Sequence, residues 1–186
     1  MKVMIGSTPR SQAPTMTEAR DTAGHTKSQR EALERAYDLY AASLLRYARA
    51  LLGSTEDAED AVQEVFVRLA RDAGRLRRIE DLQRYLLRST RNAAYEVLRG
   101  RQRRQRLHED EAVRLSEAAS DSENPEIEAV LAAFETLPPE QREVMALKIF
   151  QGLTFREIGQ VIGKSQNTVS SRYRYAIEGI RRIIGS

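Results

Sequence analysis

Between Thr154 and Arg174 the chain reads "TFREIGQVIGKSQNTVSSRYR", and its hydrogen-bonding side chains are crowded into one short span. Ser165, Gln166, Asn167, Thr168, Ser170 and Ser171 are short or carry amides, and Arg172 and Arg174 follow with guanidinium groups. An amide both donates and accepts, which suits a base edge; an arginine holds phosphate or reads guanine. A second group is cationic: Arg75, Arg77, Arg78, Arg84, Arg88, Arg91 and Arg99, with Asn92 among them. Such a cationic block suits contact with a polyanion, and an amide among the cations both donates and accepts. Both groups suit recognition rather than making or breaking a bond.

Composition removes the alternatives. The 186-residue chain has no cysteine, so disulfides and thiolate metal sites are excluded. Its two histidines, His25 and His108, lie in stretches that read as unstructured, so neither a metal site nor a histidine-based triad is expected. Carboxylate pairs such as Glu56 and Asp60 fall on exposed helix turns. The chain is expected to be no enzyme and to need no cofactor. No apolar run approaches the roughly 20 residues of a membrane span, and "MKVMIGSTPRSQAP" lacks a secretory signal's apolar core. A cytoplasmic protein without membrane insertion is expected. The net charge of +3 hides a block pattern: twelve arginines against four acidic residues over 71–106, then eight acidic residues against one arginine over 107–128. Such asymmetry suits contact with a polyanion on one surface.

The elements that must hold these groups are helices. Leu33, Tyr37, Tyr40, Leu44, Tyr47, Ala48 and Leu51 recur at steps of three and four, and Gly53 ends the run. Ser54 or Thr55 caps the next helix, with acidic residues in its first turn and Ala58, Val62, Val65 and Leu69 inward. A third helix begins near Glu80 with Leu82, Leu86, Ala93, Val97 and Leu98 inward. Nothing alternates at the strand period, so the fold class is all-α. The division read from composition is a disordered tail at 1–28, a helical domain at 29–104, a flexible linker at 105–125 and a second small helical domain at 126–186. In the second domain Thr154 caps a helix bearing Phe155, Ile158, Val161 and Ile162. Gly163 makes the turn, and Ser165 caps a final helix with Val169, Tyr173, Ala176, Ile177, Ile180 and Ile184 inward. With Gly159 at the crossing, this is a helix-turn-helix, whose second helix lays its first turns in the major groove. A helical hairpin with incidental polar residues is the plain alternative.

"DAEDAVQEVFVRLAR", then "YLLRSTRNAAYEVLRGRQRR", a linker, and "LPPEQREVMALKIFQGLTFREIGQVIGKSQNTVSSRYRYAI" resemble the extracytoplasmic-function group of bacterial sigma-70 factors over about residues 31–184. The resemblance implies a dissociable subunit of bacterial core RNA polymerase. Its first domain, region 2, would bind core, recognise the minus-ten element of promoter DNA and melt it. Its second, region 4, would read the minus-thirty-five element. Asp60, Gln63 and Glu64 match the family's polymerase-docking pattern, and the loop over 71–79 matches its segment that captures a flipped base. An anti-sigma partner is expected on the same ground. The chain departs from the family in carrying Glu96 for a common aspartate, and Ala70 and Tyr85 near places where tryptophans are common; Phe66, Tyr85 and Tyr95 are the candidate substitutes. No appended regulatory domain is expected after Ile184. The two elements lie about 25 base pairs, roughly 85 Å, apart. A linker of roughly 25 residues spans at most ~85 Å, so two tethered domains reach both. The competing reading is a free-standing helix-turn-helix regulator that binds duplex DNA alone.

Overall fold

The computed structural model describes residues 16–72, 76, 78–107 and 132–184, and among them no strand occurs. Six helices carry the fold: α1 (Met16–Leu52), α2 (Thr55–Arg71), α3 (Leu82–Leu107), α4 (Pro139–Gln151), α5 (Phe155–Ile162) and α6 (Gln166–Ile184). Residues 132–136 are also helical. The all-α fold expected from periodicity is the one observed.

The first helix is longer than expected. It begins at Met16, so residues 16–28, assigned to a tail, belong to it, while 1–15 lie outside the described residues. Glu18, Ala19, Arg20, Ala23 and Lys27 are good helix formers with no proline among them. Extending a helix already nucleated by a docked segment requires only one residue's ordering per hydrogen bond. Of its expected stripe, Leu44, Tyr47, Ala48 and Leu51 are buried, whereas Tyr37 is half exposed and meets the Phe66 ring edge-on at 5.0 Å.

Gly53 ends α1 at φ 68°, its N–H donating to the Arg49 carbonyl at 2.9 Å. Ser54 then caps α2 by accepting from the Asp57 N–H, with Glu56 and Asp57 at the positive end of the helix dipole. Ala58, Val62, Val65 and Leu69 are buried as expected. Asp81 starts α3, its Oδ1 accepting from the Arg84 N–H at 2.9 Å. Near the other end of α3, Arg101 donates to the Leu52 carbonyl at 2.8 Å and pairs with Asp57, stapling α3 to the α1–α2 corner.

The two halves are not merely tethered. One apolar cluster contains Leu44 and Tyr47 of α1, Leu86 and Leu87 of α3, Val144 and Leu147 of α4, and Ile158 of α5. On α4 five consecutive residues, Glu143 to Leu147, are buried. At 100° per residue such a run sweeps the whole circumference, so α4 is enclosed. Its outer side meets Leu137 and Ala176 through Met145; its inner side meets α1. The sequence reading has two units joined by a linker, and here they share a core; the linker call falls on 105–125, of which 108–125 lies outside the described residues. Ile184, expected inward on α6, is instead about half exposed.

A shared core makes the halves unfold together. Leu147→Ala is expected to destabilise the whole chain by about 2–5 kcal/mol. Urea unfolding followed by circular dichroism should show one transition moved to lower denaturant; two separated transitions would contradict the shared core.

Candidate nucleic-acid interface

The helix-turn-helix is built from α5, a glycine turn and α6. Thr154 accepts from the Glu157 N–H while the Glu157 carboxylate accepts from the Thr154 N–H at 2.8 Å and from its hydroxyl at 2.6 Å. This capping box holds the Glu157 carboxyl below its usual range, and it commits Thr154 to closing the helix. Gly163 turns the chain at φ 69°, and the Lys164 N–H closes on the Gly159 carbonyl at 3.0 Å. A Cβ on Gly159 would meet the Lys164 carbonyl oxygen at 2.6 Å, so only glycine lets the turn fold down onto α5. Ser165 caps α6, its Oγ accepting from the Thr168 N–H at 3.2 Å. Val169 and Ala176 are fully buried, and Phe155 meets Tyr173 at 5.3 Å between ring centroids.

That packing leaves the polar turn outside. Ser165, Gln166, Asn167, Ser170 and Arg174 are exposed, and Thr168, Ser171 and Arg172 are half-buried. The predicted recognition group is therefore on one element and open to a ligand, except that Thr154 and Ser165 also cap helices. Arg174 lies over the Tyr175 ring at 5.2 Å.

On α3, Arg84, Arg88 and Asn92 stand at steps of four and line, with Asp81, Tyr85 and Ser89, an open groove of about 430 Å³. Arg84 is held at 2.7 Å by Asp81. Arg78 and Arg99 are exposed before and beyond it; Arg75 and Arg77 lie outside the described residues. Arg91 turns inward instead. Its Nε donates to Glu143 Oε1 at 2.7 Å and its guanidinium sits 4.5 Å from the Tyr95 ring centroid. Burial works against its charge, but the Glu143 carboxylate more than offsets this and raises its pKa. Of the aromatic substitutes, only Tyr85 lies in the groove: Phe66 is buried against Tyr37, and Tyr95 donates to Glu143 Oε2 at 3.2 Å.

Asp60, Gln63 and Glu64 are exposed on α2, on the side away from its buried stripe. Glu64 accepts from Arg68 at 2.6 Å, and Arg68 also lies 3.7 Å from Glu96. Asp60 and Gln63 make no side-chain bond among the described residues.

Sequence reasoning missed Glu143. It is 99% buried, given its 1% exposure, on α4, and it accepts from Tyr47, Arg91 and Tyr95. Burial, then the adjacent carboxylate, pushes the Tyr47 phenol well above its ordinary pKa. No local pattern announces such a residue, because its partners lie 48 to 96 positions away. Among the described residues no carboxylate cluster could hold a metal, and no helix is long and apolar enough to cross a membrane.

Comparison with known proteins finds two family matches along the chain. Sigma-70 region 2 matches residues 36–104, and Sigma-70, region 4 matches residues 133–182. The ECF RNA polymerase sigma factor BldN of Streptomyces coelicolor is 26% identical over 160 residues, which are 83% of this chain and 61% of that one. The chain thus spans about three fifths of that relative's length. The RNA polymerase sigma factor CarQ of Myxococcus xanthus is 30% identical over 130 residues, covering 69% of this chain and 75% of CarQ. The sigma factor RpoE of Bartonella quintana, crystallised with the anti-sigma factor NepR, shares the fold at a TM-score of 0.67 and 21% identity, over 82% of this chain and 96% of that one.

The Gly159 contact gives a direct check on the turn. Gly159→Ala is expected to destabilise the chain by about 1–3 kcal/mol and to displace α6 from α5. Thermal unfolding together with amide chemical shifts around Lys164 measures both; unchanged shifts would contradict the close approach.

Proposed function

Because the chain belongs to the sigma-70 family, in its extracytoplasmic-function group, we propose that it directs bacterial core RNA polymerase to specific promoters and assists their melting. The observation that carries this reading is the coexistence, in one chain, of an exposed acceptor face on α2, a basic groove on α3 and a polar first turn on α6. Asp60, Gln63 and Glu64 dock on core polymerase. Arg84, Arg88 and Asn92 receive the minus-ten strand, with Arg78 and Arg99, and Arg75 and Arg77 from the adjoining loop, adding charge along its backbone. Gln166, Asn167, Ser170, Arg172 and Arg174 read the minus-thirty-five duplex, Thr168 and Ser171 hydrogen-bond phosphates, and Thr154 and Ser165, as caps of α5 and α6, set the helix-turn-helix at the groove. The domain limits proposed are region 2 at 29–104 and region 4 at 126–186.

The protein performs no chemistry of its own; polymerase supplies it, with no cofactor bound by this chain. Its place of work is the cytoplasm, where core polymerase and promoter DNA are. An anti-sigma factor is its expected inhibitor, which the complex of the Bartonella relative supports as a class of partner. A free-standing regulator is disfavoured because Asp60 and Gln63 present a docking face that duplex binding alone does not require.

Reconstitution decides between them. Added to core polymerase, the chain is expected to initiate transcription at a promoter bearing both elements and to leave no specific footprint by itself. A strong footprint without core, or no binding to core at any salt concentration, overturns the reading. Gln63→Ala with Glu64→Ala should weaken core binding about tenfold or more, about 1.4 kcal/mol. Asn167→Ala should leave core binding intact and relax base preference in the upstream element by about 1–3 kcal/mol.

A further inference from the structure

The row of side chains along the α3 groove does not end at Asn92. Arg84, Arg88, Asn92 and Glu96 stand at steps of four, which brings them onto one side of the helix, and Arg99 follows, exposed. Glu96 is the only acidic residue between Arg84 and Arg99. A free carboxylate one turn beyond Asn92 would repel a phosphate backbone laid along this row. Glu96 is not free. Its Oε2 lies 3.7 Å from Arg68 Nη2, across the packing of α2 on α3. Arg68 is in turn anchored on its own helix, the same Nη2 donating to Glu64 Oε1 at 2.6 Å. Both carboxylates raise the Arg68 pKa, Glu64 first through its hydrogen bond and its charge, Glu96 after it.

Stability does not account for this bridge. All three side chains are half exposed, and exposed ion pairs contribute little to folding. Its placement is more telling. Arg68 stands on α2, outside the row, and reaches the row at the one position where a negative charge interrupts it. The other carboxylate at the groove, Asp81, is held in the same manner by Arg84 at 2.7 Å. Both acidic groups are thus met by an arginine, and Arg88 and Arg99 remain as the row's unpaired cations among the described residues. We propose that Arg68 is a positioning residue for the minus-ten surface: anchored by Glu64, it draws the Glu96 carboxylate off the path of the DNA strand and offsets its charge. The proposal rests on the sigma-factor reading for the identity of the ligand; the bridge from Glu64 through Arg68 to Glu96 is a property of the chain.

The test uses holoenzyme assembled with the chain in excess over core polymerase, so that docking does not limit the signal. The probe is a fluorescent single-stranded oligonucleotide carrying the non-template minus-ten sequence of a promoter that the unaltered holoenzyme selects from a random DNA pool. Arg68→Ala is expected to weaken binding of this probe about fivefold at low salt, and by less as salt rises. In a Glu96→Gln background the same substitution should cost less than about twofold, because no carboxylate is left to offset. The unfolding midpoint should move by less than about 4 °C. A loss of the same size in the Glu96→Gln background would make Arg68 a direct phosphate contact and overturn the proposal. Unchanged binding by Arg68→Ala alone would overturn it too. Should Arg68→Ala fail to fold, Arg68→Gln, which removes the charge and keeps more of the side chain, carries the same expectations. An unaltered chain that binds no core polymerase overturns the sigma-factor reading and this proposal with it; normal binding by the unaltered chain with either contrary result overturns this proposal alone.

Discussion

A carboxylate buried as deeply as Glu143 must be compensated, or the helix that carries it cannot dock. Compensation here comes from three donors on two helices of the other half. Desolvating ions costs several kcal/mol each, and removing one partner from such a site is destabilising by about 3–5 kcal/mol. The cage therefore works less as a source of stability than as a selector. Docking of α4 against α1 is tolerated in the one register where Tyr47, Arg91 and Tyr95 converge. Apolar contact among Leu44, Leu86, Val144 and Leu147 supplies the attraction, and the cage fixes the geometry.

Local features of the fold were legible because their causes are local. Ser54 as a cap, Gly53 and Gly163 at positive φ, the α2 stripe and the helix-turn-helix each depend on residues within a few positions of one another. The exposed group from Ser165 to Arg174 could be read for the same reason: Val169 and Ala176 fix which side of α6 is inward. Long-range features were not legible. Tyr37 looked like core because it keeps the α1 period, yet the period does not say how far a neighbouring helix extends. Arg91 looked equivalent to Arg88, three residues earlier, but it stands at the edge between the open groove and the packed face. Which side it serves is decided by Glu143, 52 positions away. The start of α1 was misplaced because composition near a chain end weighs Ser, Thr and Gly as coil, while a helix already anchored downstream extends through them.

On the proposed reading the same sequence carries surfaces for a large partner and for promoter DNA, and the core shared by α1 and α4 keeps them on one body. Asp60, Gln63 and Glu64 stay accessible in that body.

The convergence on Glu143 is most directly measured by a double-mutant cycle on Arg91→Ala and Glu143→Gln, read by urea unfolding. The cage predicts a coupling of about 1–3 kcal/mol, because each substitution strands the other's partner. Additive effects, with no coupling beyond a few tenths of a kcal/mol, would contradict it.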